Sequence, residues 1–278
     1  MRTIFFSLAL FAAVVQLAAQ TSDTIHSDVS RVLSAMRSDK WTDREHALSE
    51  MPSIDDLNNE APAEADRLKV ALIELLTREN EEVHRPKSAQ MAPTLETRTV
   101  EHGEGHANYY GNLIGMVAAL HDERAIPALL GAITTGGMAE RGVAGFGEKA
   151  LDPLLKKILD PNPIVRSSVL FTARYMIRMG TANDPAAKAR IDDVVRSSLN
   201  DADPSVRSSA IAVVEYLDNR EEFVPALQKL AESDPAKLPG KPDDGGDGGQ
   251  FFPVRQNARR LLRKISNHQP PPIDRGVR

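Results

Sequence analysis

Asn162-Pro163-Ile164-Val165-Arg166-Ser167-Ser168-Val169 and Asp203-Pro204-Ser205-Val206-Arg207-Ser208-Ser209-Ala210 are two versions of one pattern. Phe251-Phe252-Pro253-Val254-Arg255-Gln256-Asn257-Ala258 is a third, looser at its start. After each Val-Arg the apolar spacing is shared. Val206 is followed by Ala210, Val213, Val214 and Leu217, and Val254 by Ala258, Leu261, Leu262 and Ile265. Val165 is followed by Val169, Thr172, Ala173 and Met176, with Thr172 the weak member. That spacing puts each set on one stripe of a helix. Asn162 and Asp203 suit an N-cap, accepting a bond from a free first-turn amide. Pro163 and Pro204 then fall at the first helical position, where a missing N–H costs nothing. Arg166 and Arg207 stand 41 residues apart, the length of a two-helix unit with its turns.

A partner helix alternates with this one. Ala125-Ile126-Pro127-Ala128-Leu129-Leu130 resembles Ala150-Leu151-Asp152-Pro153-Leu154-Leu155, and Phe223-Val224-Pro225-Ala226-Leu227 resembles both. Ile191-Asp192-Asp193-Val194-Val195 fills the equivalent slot with Asp193 in place of proline. A proline in the first turn is tolerated by a helix. Arg141-Gly142-Val143-Ala144 with Phe146-Gly147 reads as a shortened second helix, and Arg44-Glu45-His46-Ala47 as a divergent N-terminal copy.

The alternation of Pro-Leu-Leu helices with Asp-Pro-x-Val-Arg-x-x-Ala helices resembles the HEAT repeat, in the short bacterial form also called PBS-lyase HEAT-like. The likeness is good over residues 123–218, extends to Ile265 and is weak before Ala107. It implies an all-α fold: a right-handed, armadillo-like α-solenoid of stacked antiparallel helix pairs, about five or six of roughly 40 residues each. It also implies that the recurring Arg44, Arg141, Arg166, Arg207 and Arg255 serve packing, each bonding an acidic residue or carbonyl of its own or the neighbouring repeat. The other reading makes them a ladder for anionic ligands.

The flanks read differently. Arg2, then the apolar run from Ile4 to Val15 broken only by Ser7, then Leu17-Ala18-Ala19, form the three-part pattern of a secretory signal peptide. Residues 1–19 are therefore expected to be removed, and the protein to be exported to a bacterial periplasm or beyond. Residues 20–83 carry helical periodicity, in helices expected near 27–37, 42–51 and 63–77. Residues 84–106, with Pro86, Pro93, Gly103 and Gly105, read as one long loop, functional or disordered. The array then runs over 107–267, interrupted at 233–250 by a flexible insertion with three prolines and Asp243-Asp244-Gly245-Gly246-Asp247-Gly248-Gly249. Residues 268–278, with Pro270-Pro271-Pro272, read as a loose tail.

Composition excludes several chemistries. The chain has 278 residues and no cysteine, so disulfides, thiolate nucleophiles, iron–sulfur clusters and cysteine-ligated zinc are out. Lys and Arg number 34 against 39 Asp and Glu, a net charge of -5 that gives no footprint for nucleic acid. Nucleophile elbows, phosphate-binding glycine loops and dinucleotide fingerprints are missing from the sequence.

Three local clusters have a chemical reading. His102-Gly103-Glu104-Gly105-His106 holds two imidazoles and a carboxylate, suited to zinc, with His84 and His121 as further donors if the fold gathers them. The two glycines oppose a rigid helix there, which favours a flexible loop instead. Asp243, Asp244 and Asp247 offer hard oxygens to calcium, without the spacing of an EF-hand. Asn108-Tyr109-Tyr110-Gly111-Asn112 reads as a recognition patch or as packing at a helix start, and Trp41 as a seal on the N-terminal helix pair. No catalytic, cofactor or metal residue is assigned. The expectation is a non-catalytic scaffold or adaptor for a protein partner, binding no nucleic acid and spanning no membrane once the signal is removed. The alternative is a metal-binding protein or metal-dependent enzyme using His102, Glu104 and His106.

Overall fold

A computed structural model describes residues 23–83, 103–239 and 250–267. Thirteen α-helices run through these residues. They are α1 (23–36), α2 (Trp41–Ser49), α3 (Ile54–Glu60), α4 (Pro62–Val83), α5 (Glu104–Ala119), α6 (Ile126–Gly131) and α7 (Gly137–Gly145). Then come α8 (Glu148–Lys156), α9 (Pro163–Met179), α10 (Pro185–Ser198), α11 (Pro204–Val214), α12 (Val224–Ser233) and α13 (Pro253–Ser266). Leu238–Pro239 and Gln250–Phe251 add a two-residue antiparallel ladder. Among the described residues no helix is long and apolar enough to cross a membrane.

The caps read from sequence form. Asn162 accepts from the amide of Ile164 at 2.9 Å and Asp203 from that of Ser205 at 2.8 Å, each just before a proline. The predicted stripes face inward. Val206, Ala210, Val213, Val214 and Leu217 are buried, as are Val254, Ala258, Leu261 and Ile265. On α9, Val169, Thr172, Ala173 and Met176 are buried, while Val165 is only half-buried.

Helices α7, α9, α11 and α13 pack side by side as one layer, with α5 beside α7. Helices α6, α8 and α10 pack in succession as a second layer, and α12 packs on α13. At Gly147 the chain turns from α7 directly into α8 with φ 57°, and a Cβ there would stand 2.3 Å from the Thr181 carbonyl. Thr181 also donates its hydroxyl to the Ala144 carbonyl at 2.7 Å, so the ends of α7 and α9 are tied together.

The recurring arginines tie one unit to the next. Arg166 donates through Nη1 to the carbonyls of Asp160 and Pro161, at 2.8 and 3.0 Å, and through Nε and Nη2 to the Asp201 carboxylate. Arg207 repeats this with the carbonyls of Asp201 and Ala202, at 2.7 and 2.9 Å, and the Asp234 carboxylate. Arg255 donates to the Asp234 carbonyl at 2.7 Å. Each aspartate thus takes one arginine on its side chain and the next on its backbone. Arg44 has the same geometry: Nη1 reaches the carbonyls of Ser38 and Asp39, and Nη2 lies 2.7 Å from Glu79. Arg141 departs from the set. It is exposed, and among the described residues it bonds only the Gly137 carbonyl of its own helix.

Two expectations need correction. Residues 104–106 belong to α5, not to a loop over 84–106, because Gly103 takes φ 84° as N-cap and starts the helix there. The insertion expected at 233–250 is ordered at both edges: Asp234 is 3% exposed and clamps Arg207, and the small ladder joins 238–239 to 250–251. Helix α3 falls between the helices expected near 42–51 and 63–77. Its N-cap Ser53 accepts from the Asp56 amide, but only Leu57 is buried, too little for a periodic signal. The signal segment at 1–19 and the tail at 268–278 lie outside the described residues.

Removing one partner of a buried ion pair strands the other charge, at a cost of about 3–5 kcal/mol. Asp234→Ala, which strands the buried Arg207, should therefore lower the urea midpoint sharply. Glu123→Ala breaks only the exposed Lys149 pair and should cost under about 1 kcal/mol in the same titration.

Candidate functional site

The first candidate residues gather on a buried polar network between α2, α4 and α5. Glu79 is fully buried, with Arg44 on one carboxylate oxygen. Tyr109 donates its hydroxyl to Glu79 at 3.0 Å and accepts from Arg44 Nε at 3.3 Å. Burial first, then the Glu79 charge, push the Tyr109 phenol far above its ordinary range. Tyr110 donates to Asn80, whose Nδ2 donates to the Ala128 carbonyl at 2.8 Å. Both tyrosines are therefore packing residues with satisfied hydroxyls, and only Asn108 and Asn112 of that stretch are exposed.

His106 belongs to this network. It is 5% exposed, its Nε2 lies 3.7 Å from Glu79, and Trp41 meets its ring edge-on at 5.4 Å. Glu104, two residues earlier, is exposed, so the helix separates the two donors expected to share a metal. His102, His84, Asp243, Asp244 and Asp247 lie outside the described residues. Among the described residues no three His, Asp or Glu side chains gather as a metal site. Trp41 does seal this corner, resting against Tyr109 as well, with its ring edge where a Cβ on Gly105 would be, 2.9 Å away. An open groove of about 800 Å³ lies beside the network, its lining including His46, Tyr109, Gly111, Gly115, Met116 and Met138.

The second candidate is the face of α9, α11 and α13 turned away from the buried stripe. The repeat spacing places Arg174, Glu215 and Arg263 at one register position, and Tyr175, Tyr216 and Lys264 at the next. Contacts confirm that these share a face. Arg178 lies over Tyr175 and over Tyr216 of the neighbouring unit, at 5.8 and 5.5 Å. Lys264 on α13 pairs with Glu215 at the end of α11. Arg174 stacks on Phe171 at 4.7 Å, and its Nε is buried with no hydrogen-bond partner among the described residues. Arg260 and Arg263 are exposed.

Glu140, on α7 at the edge of this face, was not singled out from sequence. It is 7% exposed. Burial pushes its carboxyl up to about 7, against the hydrogen bond from Ser168 and the charge of Arg174. No sequence signal marks it, because it occupies the position that is Val165 or Val206 in the other units.

No family model matches the chain, and no curated protein matches it. Among solved structures it is similar to the crystal structure of an engineered protein from the Northeast Structural Genomics Consortium. The two are 14% identical, over 86% of this chain and 97% of that one, with a TM-score of 0.37.

Gly105→Ala must displace the Trp41 ring, and such overpacking costs about 1 kcal/mol or more. Because Trp41 is the single tryptophan, its emission spectrum should shift together with a lowered melting temperature. Glu140 gives a pH signature. Its folded-state pKa is raised, so its contribution is whole below the unfolded value and is lost as pH rises through about 7. Glu140→Gln should match wild type at pH 5 and exceed it at pH 8, by about 2 kcal/mol after allowance for solvation. Equal stability gains at both pH values in chemical unfolding would contradict the assignment.

Proposed function

We propose that the chain is an exported HEAT-like repeat protein that acts as a non-catalytic protein-binding scaffold or adaptor in the cell envelope. The observation that carries this reading is the arginine relay. The same guanidinium geometry recurs at Arg166 and Arg207 and continues to Arg255, so successive units are locked in one register. Arg44 makes the same clamp near the N-terminus, which extends the repeat reading to residues 23–83.

In a right-handed stack of this kind the second helix of each pair lines the inner face. The side chains outside the arginine relay and the buried stripe, among them Phe171, Arg174 and Tyr175, then form a continuous lane along α9, α11 and α13. A lane of that shape suits a polypeptide better than a small molecule, because it is open along its length and crosses several units. The step from architecture to binding is by analogy with solenoids in general.

The test is capture from the native envelope fraction with tagged mature protein, with and without EDTA, followed by hydrogen exchange on the captured complex. The expected result is a partner retained in both conditions, with protection concentrated on α9, α11 and α13. A partner kept only without EDTA would move the function to a metal-bound segment. Capture with protection on α8, α10 and α12 instead would overturn the inner-face reading.

A further inference from the structure

The net charge of -5 is not spread evenly through the array. Helices α9, α11 and α13 together carry nine Lys and Arg residues and no Asp or Glu. The alternating α8, α10 and α12 carry six cations and five carboxylates. A cationic helix layer inside an acidic protein is not a consequence of composition.

Part of that charge is consumed within the fold. Arg166, Arg207 and Arg255 belong to the relay, and Lys264 is paired with Glu215. What is left is Arg174, Arg260 and Arg263 on the face turned away from the buried stripe, Arg178 held between Tyr175 and Tyr216, and the exposed Arg259 one position round α13. Arg260 and Arg263 are exposed, and no ion pair holds either among the described residues. The Arg174 guanidinium lies over the Phe171 ring, 4.7 Å from its centroid, and a guanidinium packed on an aromatic face keeps its charge for a carboxylate.

Resting on the scaffold reading, we propose that this face binds an acidic, extended segment of a protein partner. Its carboxylates meet Arg174 at one end and Arg260 and Arg263 at the other, and an apolar side chain lies between them on Tyr175 and Tyr216. Neighbouring helix axes stand about 8–10 Å apart, so α9 to α13 is roughly 20 Å. An extended chain covers that distance in about six residues, which sets the separation of the two acidic ends. Nucleic acid fits less well, since the whole protein is acidic and carries no extended basic run to neutralise a phosphate backbone.

The experiment is fluorescence anisotropy with a labelled peptide of about ten residues, carrying paired Glu at each end and Leu at its centre. Wild-type protein should bind it, more weakly as salt rises. Arg174→Glu and Arg263→Glu should each weaken binding about tenfold or more. Lys149→Glu, on the other helix layer, should leave it unchanged. Circular dichroism melts matching wild type establish that the variants are folded, and Arg174→Gln provides a milder second variant. Equal binding of a Gln-for-Glu peptide, or unchanged binding by both reversals, would overturn the proposal. So would a DNA duplex or anionic vesicles binding more tightly than the peptide at equal salt. An envelope partner captured equally well by Arg174→Glu and Arg263→Glu would sink this inference while leaving the scaffold reading intact.

Discussion

A guanidinium taken out of water needs acceptors for its N–H groups and a carboxylate for its charge, and leaving either unmet is costly. At Arg207 both demands are met by groups that lie at unit boundaries. Two carbonyls from the turn before its own helix accept Nη1, and Asp234 from the turn after the next helix accepts Nε and Nη2. The arginine therefore cannot be satisfied unless three chain segments arrive together. Asp201 extends the condition, because its side chain serves Arg166 while its carbonyl serves Arg207. Burial pushes the Asp201 carboxyl up, but the bonds from Arg166 and the Asp203 amide outweigh it and hold the group below the usual carboxylate range. Hydrophobic stripes bring the helices together, and this relay fixes the register in which they stack.

Much of this was legible because it is local. The N-caps of α9 and α11, their first-turn prolines and the apolar spacing after Val-Arg are encoded within a dozen residues and form as read, with Val165 half-buried; Pro153, read as a first-turn proline, instead lies inside α8, which starts five residues earlier at Glu148. The arginines were recognisable as structural by their recurrence. Their partners were not. Asp201 and Asp234 lie 35 and 27 residues beyond Arg166 and Arg207, in turns whose composition is ordinary. Asp234 sat inside a stretch rich in proline and glycine that read as a flexible insertion. Such composition describes the middle of a segment, and a single buried side chain at its edge leaves no compositional trace.

The region before α6 was harder for a different reason. Its helices are held by a side-chain network rather than by repeated spacing. Glu79, Tyr109 and His106 are separated in sequence, and none carries a motif. The pair of histidines around Glu104 suggested a metal because three donors within five residues are conspicuous. On a helix, neighbouring side chains diverge: His106 turns inward to Glu79 and Trp41 while Glu104 faces water. Gly105, which argued against a helix by propensity, is where the helix needs space for an indole. Propensity was outweighed by packing.

The same division explains where function can reside. In the units of α9 and α11 the first turn of the second helix is committed, because its arginine and cap hold the stack. The inward stripe is committed to the core. Only the outward positions, such as 171, 174 and 175 and their equivalents, are released from both duties. There the units differ: Arg174, Glu215 and Arg263 occupy one register position, Phe171, Ala212 and Arg260 another. Equivalent positions that no longer repeat are the ones the architecture does not need. A chain that holds the relay constant while varying these residues, and leaves them predominantly basic and aromatic on an acidic protein, concentrates its chemical individuality on one face.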